Sequence, residues 1–219
     1  MTKNTDSAFK IAEYLLQIKA IKLQPDKPFT WASGWQSPIY CDNRVTLSYP
    51  KIRTFIRQLF SEEIAQNYAK PDVIAGVATG GIAIGALVAE ELGLPFVYVR
   101  PDSKKHGLGN QIEGRIEKGQ SVVVIEDLIS TGGSSLNAVA ALRDGGAQVK
   151  GLISIFSYNF KISQEAFKKA KCNYTSLCTY DTLIEQALKA NFINEDEMLS
   201  LERWREDPAN WKPATHASL

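Results

Sequence analysis

Residues 126 to 134, Glu-Asp-Leu-Ile-Ser-Thr-Gly-Gly-Ser, place two adjacent carboxylates directly before a turn rich in hydroxyls and glycines. The apolar, β-branched residues 122 to 125 precede them and predict a buried parallel strand, while residues 136 to 143 predict a helix. Ser134 or Ser135 is in position to cap that helix at its N-terminus. The turn is therefore expected at the carboxyl end of a strand, where open α/β sheets bind their ligands.

This turn has the composition of a site for a sugar phosphate. A helix N-terminus presents unpaired N–H groups to a phosphate, and Gly132 and Gly133 allow the backbone to approach it closely. Glu126 and Asp127 would repel a phosphate. We expect them to accept hydrogen bonds from the two vicinal hydroxyls of a ribose and, through water, to contact a divalent cation. The alternative is a polar loop without a ligand, but loops at this end of a sheet carry function more often than packing.

A second glycine-rich turn, GVATGGIAIG at residues 76 to 85, is also expected between a strand and a helix. No Lys follows its glycines, so it is not the phosphate loop of ATP-binding proteins, and its spacing differs from the dinucleotide fingerprint. Thr79, Gly80 and Gly81 could bind an anion through their backbone amides. Small residues also serve close packing of a helix on a strand, and the turn alone leaves both interpretations open.

Residues 100 to 114, RPDSKKHGLGNQIEG, contain four potential cations within seven positions, namely Arg100, Lys104, Lys105 and His106. Glycines within the same segment give its backbone freedom to move. A long polar loop of this kind is either a solvated connector or a lid that closes over a ligand. The residue types alone do not decide between the two.

The hydrophobic pattern of the chain predicts strands that alternate with helices. Strands are expected at residues 72–78, 95–100, 122–125 and 150–156, and helices at residues 8–21, 48–64, 82–92, 136–143, 181–191 and 195–205. Short strands are expected within residues 29–42, around a turn at Ser33 and Gly34. This alternation predicts an α/β fold with a mostly parallel sheet flanked by helices.

The composition fits a single domain over residues 1–219, with 44% hydrophobic and 22% charged residues. The 25 basic and 24 acidic residues give a net charge of +1, which argues against nucleic acid or an anionic membrane as the main partner. The three cysteines follow no metal-ligand spacing and indicate reduced thiols. The N-terminus lacks the apolar core of a signal peptide, and no run approaches the ~18 apolar residues of a membrane span. We therefore expect a soluble, cytoplasmic protein.

Residues 122 to 134 resemble the motif by which type I phosphoribosyltransferases bind 5-phosphoribosyl-1-pyrophosphate (PRPP). That motif is four hydrophobic residues, two acidic residues and a Thr/Ser-Gly-rich loop, and all thirteen positions here agree. The resemblance implies that PRPP contacts Glu126, Asp127, Leu128, Ile129, Ser130, Thr131, Gly132, Gly133 and Ser134. Its ribose hydroxyls would lie at the acidic pair and its 5′-phosphate at residues 129–134. The resemblance also implies that the amides of Thr79, Gly80 and Gly81 receive the diphosphate.

Two further segments resemble the orotate branch of that family. Its catalytic loop has the pattern R-x-x-x-K-x-H-G, which Arg100, Lys104, His106 and Gly107 meet. Residues 28 to 44, PFTWASGWQSPIYCDNR, resemble the segment that covers the base-binding site. The resemblance implies the type I phosphoribosyltransferase fold with a small N-terminal hood at residues 1–45. It implies that orotate contacts Ala32, Ser33, Gly34, Tyr40 and Ser130. Aromatic side chains such as Tyr40 could equally be packing within the hood.

The implied activity is transfer of the 5-phosphoribosyl group from PRPP to orotate, which yields orotidine 5′-monophosphate and pyrophosphate in pyrimidine nucleotide synthesis. Lys104, His106 and Asp127 would be catalytic, and Arg100 would help to neutralise the pyrophosphate. The resemblance implies a Mg²⁺ cofactor held mainly by PRPP, with water between the metal and the acidic pair and no direct protein ligand. It also implies a homodimer in which loop 101–114 closes over the neighbouring subunit's site.

Four cations of many orotate enzymes are absent from this chain. Ala32, Gly80 and Pro101 stand where those enzymes have Lys, and residues 154–158 lack the Arg that receives the orotate carboxylate. This pattern resembles a second bacterial branch of the family. The expected donors to the carboxylate are the backbone amides of residues 32–35, or Ser130.

Three other functions are weaker alternatives. A purine phosphoribosyltransferase shares the PRPP loop but lacks the hood segment and the catalytic-loop pattern. A PRPP-sensing regulator usually carries an added nucleic-acid-binding segment, and the sequence has neither a basic helix-turn-helix nor a basic stripe. A dinucleotide-dependent oxidoreductase is disfavoured because the glycine fingerprint is absent.

Overall fold

The computed structural model describes residues 2–30, 36–101 and 111–213. The chain divides into two compact units. The terminal unit consists of Met1–Thr46 and Cys178–Leu219, and the sheet unit of Leu47–Leu177. Both glycine-rich turns belong to the sheet unit.

The strands of the described residues are β1 (Ile21–Leu23), β2 (Phe29–Thr30), β3 (Gln36–Ser37), β4 (Ile39–Cys41), β5 (Val73–Val77), β6 (Phe96–Val99), β7 (Ile112–Glu113), β8 (Ser121–Ile129), β9 (Gln148–Ser157) and β10 (Tyr174–Thr179). The α-helices are α1 (Thr2–Gln17), α2 (Pro50–Asn67), α3 (Gly80–Leu92), α4 (Gly133–Asp144), α5 (Lys161–Lys169), α6 (Tyr180–Lys189) and α7 (Glu195–Glu206). A 3₁₀ helix spans Asn43–Ser48.

A six-stranded sheet has the order β10-β9-β8-β5-β6-β7. Strands β5, β6, β8 and β9 are parallel, and β7 pairs antiparallel with β6 at one edge. All residues from Val73 to Val77 and from Val122 to Ile125 are buried, as continuous apolar runs are when both faces of a parallel sheet are covered. The predicted fold class, an α/β fold with a mostly parallel sheet and flanking helices, is confirmed.

The register of β5 against β8 brings the two glycine-rich turns together. These strands lie side by side, with Val73 opposite Val122 and Gly76 opposite Ile125. Because the strands are parallel, the turn after β5 and the turn after β8 lie at the same edge of the sheet. Helix α3 begins just after the first turn and α4 just after the second, so both helix N-termini lie at that edge.

Strand β8 is longer than predicted. It continues through the acidic pair to Ile129, because its last residues pair with Phe156 and Ser157 of β9. The two carboxylates therefore lie in the strand and not in the turn. Residues 130–132 alone connect β8 to α4.

The prediction that Ser134 or Ser135 caps α4 is wrong. The N-cap residue is Gly132, which has a φ of 85°, a left-handed conformation that glycine adopts without a steric penalty. Ser135 is buried in the first turn of the helix, and its hydroxyl bonds to Glu126 instead.

The predicted helix at residues 8–21 is displaced in the structure. Helix α1 begins at Thr2 and ends at Gln17, and Lys19 follows with a left-handed φ of 57° that breaks the helical path. Ile21–Leu23 then forms β1, which pairs antiparallel with β4. Helix α5 and strand β10 have no counterpart among the predicted elements.

The terminal unit is held together by buried aromatic residues of its last two helices. The Tyr180 hydroxyl donates to the Leu201 carbonyl at 3.0 Å, and the Trp204 indole N–H donates to the Gln36 carbonyl at 3.2 Å. Both helices were predicted, and α7 begins with a reciprocal capping box between Asn194 and Glu197. Within the described ranges, no helix has both the length and the apolar character needed to cross a membrane.

Candidate active site

The turn after β5 lies against the backbone of its neighbours. A methyl group placed on Gly76 would lie 2.7 Å from the Gly81 carbonyl oxygen, and one placed on Gly81 would overlap the Ile125 carbonyl oxygen. Real side chains do not approach a backbone this closely, so both positions require glycine. The start of α3 is thereby held directly on strands β5 and β8.

The backbone of this first turn is accessible where the resemblance predicts diphosphate contacts. Thr79 is exposed and Gly80 partly exposed, while Gly81 is buried. The peptide bond between Ala78 and Thr79 is cis. The Ala78 N–H donates to the Val99 carbonyl at 2.9 Å, which ties the start of the turn to β6.

Glu126 is buried at the end of β8, with 4% of its surface exposed. One carboxylate oxygen accepts the Ser135 hydroxyl at 2.9 Å, and the other accepts the Asp127 backbone N–H at 3.0 Å. Burial raises the pKa of Glu126 well above the usual carboxyl value, and the neighbouring Asp127 charge raises it further. The side chain thus links the end of β8 to the first turn of α4, on either side of the connecting loop.

Asp127 is the more exposed member of the acidic pair. Its carboxyl group occupies the space next to Gly80, where a methyl group on that glycine would overlap all three terminal atoms of the Asp127 side chain. The structure therefore brings the second carboxylate of the β8 motif to the first residue of α3. The sequence placed these two residues in separate motifs.

The turn after β8 offers an accessible backbone on one side and is packed on the other. Thr131, Gly133 and Ser134 are exposed, and Ser130 is partly exposed. The buried Gly132 faces α5, because a methyl group placed on it would lie 2.9 Å from the Phe167 ring. Helix α5 therefore packs against this turn through the Phe167 ring.

Leu128 and Ile129, which the resemblance includes among the PRPP contacts, are strand residues. They pair with β9, and the Ile129 carbonyl accepts the Tyr158 N–H at 3.0 Å. Ile129 is fully buried, whereas Leu128 is partly exposed.

The base of the cationic loop is closed by hydrogen bonds. The Arg100 N–H donates to the Gln111 carbonyl at 2.9 Å, and the Gln111 side chain donates to the carbonyls of Arg100 and Pro101. The Arg100 guanidinium lies 3.5 Å from the Glu113 carboxylate. The predicted catalytic residues Lys104 and His106 lie outside the described residues.

The hood segment is described only in part. Ala32, Ser33 and Gly34 lie outside the described residues. Tyr40 lies in β4, with 41% of its surface exposed and its ring 5.6 Å from that of Phe29. The Lys22 ammonium lies over the same ring, 5.9 Å from its centre, so the described contacts of Tyr40 are packing within the hood segment and a nearby cation.

Ser135 and Phe167 are two residues of the site that the sequence did not single out. Ser135 directly follows the motif, and its type indicated only a helix cap. Phe167 lies on an unpredicted helix, 35 positions after Gly132, the turn residue that it contacts. The i, i+4 spacing of Ile162 and Ala166 could have indicated the helix, whereas nothing in the sequence indicated the contact with Gly132.

The described residues contain no group of three or more His, Cys, Asp or Glu side chains placed to hold a metal ion. Both oxygens of Glu126 already accept hydrogen bonds, and the Asp127 residue is partly exposed to solvent. This donor set suits a cation whose ligands come mainly from a bound substrate and from water, since Mg²⁺ commonly keeps several waters and binds through one or two carboxylates.

Comparison with known proteins identifies the family of the chain. The family described as phosphoribosyl transferase domain matches residues 47–185. The orotate phosphoribosyltransferase of Phocaeicola vulgatus is 57% identical over 201 residues, which cover 92% of this chain and 95% of the relative. That of Listeria monocytogenes is 52% identical over 202 residues, with coverage of 92% and 97%.

Among solved structures, that of orotate phosphoribosyltransferase from Aeropyrum pernix matches with a TM-score of 0.73 at 29% identity, and the match covers 84% of this chain and 99% of the other. The resemblance identified from the motifs of residues 28 to 156 is thus confirmed. The chain belongs to the phosphoribosyltransferase family, in its orotate phosphoribosyltransferase branch.

Proposed function

We propose that this protein transfers the 5-phosphoribosyl group from PRPP to orotate, forming orotidine 5′-monophosphate and pyrophosphate in pyrimidine nucleotide synthesis. The observation that carries the proposal is the meeting of two glycine-rich turns at adjacent strand ends, with the Asp127 carboxylate next to Gly80. The proteins from Phocaeicola vulgatus and Listeria monocytogenes, each more than half identical to this chain, are named for this activity.

Each part of PRPP has a matching part of the sheet edge. Backbone N–H groups of residues 130–134 would bind the 5′-phosphate at the N-terminus of α4. The amides of Thr79, Gly80 and Gly81 would bind the diphosphate. Asp127 and Glu126 would accept hydrogen bonds from the ribose hydroxyls, with Asp127 the more accessible of the two.

The reaction is a substitution at the anomeric carbon. The bond between the ribose C1 and the pyrophosphate oxygen breaks, which leaves positive charge on C1 and the ring oxygen. A nitrogen of orotate then forms the new bond to C1 and releases the proton that it carried. The Asp127 carboxylate, held in place before the reaction, would stabilise this charge at little cost in reorganisation. The protein would otherwise act by orienting the two reactants, and no covalent intermediate is required.

Mg²⁺ bound to the diphosphate would neutralise part of its charge and so favour its departure. Within the protein, Asp127 and Glu126 would contact the metal through water and not directly. Arg100, Lys104 and His106 would add positive charge near the pyrophosphate once loop 101–114 closes. This loop would close over the site of a second copy of the chain, which makes the working enzyme a homodimer in the cytoplasm.

Orotate would bind under the hood of residues 1–45, which we treat as part of a single phosphoribosyltransferase domain spanning residues 1–219. Ala32, Ser33, Gly34 and Tyr40 would contact the base, together with Ser130 from the phosphate turn. Backbone N–H groups of residues 32–35, or Ser130, would bind the carboxylate, since the chain lacks the Arg and Lys residues that serve it in many relatives.

A spectrophotometric assay of orotate consumption tests this function. We expect consumption that requires both PRPP and Mg²⁺, with strong preference for orotate over uracil, because a site built for the carboxylate leaves its donors unpaired when uracil binds. Asp127→Asn should lower turnover on the order of 10²-fold without unfolding the protein.

Equal use of uracil and orotate would contradict the substrate assignment. Consumption of hypoxanthine or adenine would favour a purine phosphoribosyltransferase. Binding of PRPP without turnover of any base would favour a regulator that has kept the fold.

A further inference from the structure

The indole of Trp204 joins the last helix of the chain to the segment that we assign to the base. Trp204 lies in α7 and is fully buried, and its N–H donates to the Gln36 carbonyl at 3.2 Å. The two residues are 168 positions apart in the sequence. A residue near the end of the chain thus contacts the segment expected to cover orotate.

Gln36 closes a short hairpin in that segment. Strands β2 and β3 pair antiparallel, with Thr30 opposite Gln36. The Gln36 side chain also donates to the Thr30 hydroxyl at 2.9 Å. Residues 31–35 connect the two strands and include three of the expected orotate contacts. The position of Gln36 therefore sets the positions of both ends of that connection, since Thr30 is bonded to it.

The same hairpin contacts the surroundings of Tyr40, the remaining expected orotate contact of the hood. Phe29 of β2 has its ring 5.6 Å from the Tyr40 ring. Ser37 of β3 is fully buried, and its hydroxyl donates to the Ile39 carbonyl at 2.8 Å, one residue before Tyr40. A shift of the hairpin would therefore move expected base contacts on both sides of it.

The hairpin needs an anchor outside itself, and α7 can supply one. Strands β2 and β3 have two residues each, and a two-stranded hairpin is at best marginally stable alone. Trp204 is held by its own neighbours: its ring lies 5.8 Å from that of Tyr180, whose hydroxyl bonds to the Leu201 carbonyl of α7. The indole is thus packed between helices and presents its N–H to the hairpin.

We propose that Trp204 is a positioning residue for orotate, because its indole N–H fixes Gln36 and with it the hairpin of β2 and β3. This role rests on the proposed function for the identity of the base. A misplacement of about 1 Å can lower a rate on the order of 10²-fold, so a bond remote from the base can control its use. Since PRPP is assigned to the turns after β5 and β8, its binding should not depend on Trp204.

Trp204→Phe removes the N–H donor and keeps an aromatic ring. We expect kcat/KM for orotate to fall about fivefold or more, while the KM for PRPP changes less than about twofold. Steady-state kinetics with each substrate varied in turn measures both. An unchanged kcat/KM for orotate would overturn the proposal, and so would a rise in the KM for PRPP as large as the loss for orotate.

Two control variants separate this role from a general loosening of α7. Tyr180→Phe removes the buried hydroxyl bond to the Leu201 carbonyl, and Leu201→Ala removes more buried volume than Trp204→Phe does. Neither changes the indole N–H. Both should unfold at lower urea concentrations than wild type, with kcat/KM for orotate within about twofold of it. If Leu201→Ala loses as much orotate use as Trp204→Phe, α7 acts through its packing alone and the proposal is overturned.

Hydrogen exchange gives a result that does not depend on turnover. Without substrates, the backbone amides of residues 36–41 should exchange faster in Trp204→Phe than in wild type, and at the wild-type rate in Tyr180→Phe. Equal exchange in wild type and Trp204→Phe would overturn the proposal. If the wild type does not consume orotate, the proposed function fails, and this comparison still decides whether Trp204 fixes the hairpin.

A measurement on the wild type decides the matter if Trp204→Phe does not fold. Orotidine 5′-monophosphate, the expected product, should slow hydrogen exchange both in residues 36–41 and in residues 199–206. A hairpin fixed by its ligand holds the indole that is bonded to it, because such coupling is reciprocal. Slowing confined to the hairpin would overturn the proposal.

Discussion

The Ser135 hydroxyl donates a 2.9 Å hydrogen bond to the buried Glu126 carboxylate, from the first turn of α4 to the end of β8. The two residues lie on either side of the loop to which we assign the 5′-phosphate. Their bond fixes the distance between the two ends of that loop. Glu126 thus has a structural role in addition to the ribose contact that its sequence motif implies.

Ser135→Ala removes this link. We expect the free energy of unfolding to fall by about 1–3 kcal/mol, because a buried carboxylate oxygen loses its hydroxyl donor. Urea unfolding followed by circular dichroism measures the loss. Ser134→Ala is the matched control: its exposed side chain lies one position away, and we expect a change within about 0.5 kcal/mol. Equal losses in the two variants would show that the bond to Glu126 adds nothing to stability.

Glu126→Gln should change how stability depends on pH. Burial raises the folded-state pKa of Glu126 above its usual value of 4.5, so the folded protein favours the protonated carboxyl. The stability that this shift contributes is fully present below the unfolded-state pKa and is lost as pH rises through the folded-state pKa. Glutamine does not ionise, so the stability of the variant does not fall with pH at this position.

The free energy of unfolding of Glu126→Gln relative to wild type should therefore increase between pH values of about 4 and about 8. The measurement is a series of urea unfolding curves in buffer free of Mg²⁺. A difference that stays constant over this range would mean that Glu126 has the same pKa in both states.

Gly132→Ala should destabilise the protein for two reasons. The residue has a left-handed φ of 85°, which costs other residues roughly 1–2 kcal/mol, and the added methyl group would lie 2.9 Å from the Phe167 ring. Gly93→Ala is the matched control, since Gly93 has a φ of 63° with no atom within 4 Å of the added methyl group. We expect Gly132→Ala to lose more stability than Gly93→Ala in urea unfolding and to raise the KM for PRPP. If the two variants lose equal stability, the Phe167 ring yields freely and α5 does not support the turn.

Lys104→Ala should lower kcat more than it raises the KM for PRPP, since a loop that closes late acts mainly on the transition state. Steady-state kinetics with varied PRPP gives both constants. Lys168→Ala, which removes an exposed lysine of α5, is the control and should match wild type. A rise in KM alone would make Lys104 a ground-state anchor.

The same variant tests the shared site of the proposed homodimer. Lys104→Ala and Asp127→Asn subunits, each nearly inactive, should regain part of the wild-type activity after mixing, because mixed dimers hold one site with both native residues. No recovery after confirmed subunit exchange would mean that the loop serves its own subunit.

The strands and turns around the site could be predicted from the sequence, because β5 and the first half of β8 are apolar runs rich in β-branched residues and a glycine-rich turn follows each strand. The residue at which β8 ends could not be predicted from the sequence. Carboxylates normally mark loops, but the pairing of Leu128 and Ile129 with β9 extends the strand beyond them. Such pairing depends on the neighbouring strand and leaves no local signal.

Helix α5 was not predicted, although Ile162 and Ala166 have the spacing of one helix face. Of its nine residues, Ser163 and Phe167 are buried while Ile162 is 60% exposed, so polarity does not follow burial. The bond between Ser135 and Glu126 and the contact of Gly80 with Asp127 join residues whose sequence motifs suggested other roles. These contacts arise only when the strands assemble, so no local pattern in the sequence could indicate them.

A crystal structure of the protein with Mg²⁺ and PRPP tests the central claim most directly. We predict that the 5′-phosphate binds the backbone N–H groups of residues 130–134, the diphosphate those of Thr79 to Gly81, and the ribose hydroxyls the Asp127 carboxylate. PRPP bound with its 5′-phosphate away from the turn between β8 and α4, or with its ribose hydroxyls away from Asp127, would contradict the account.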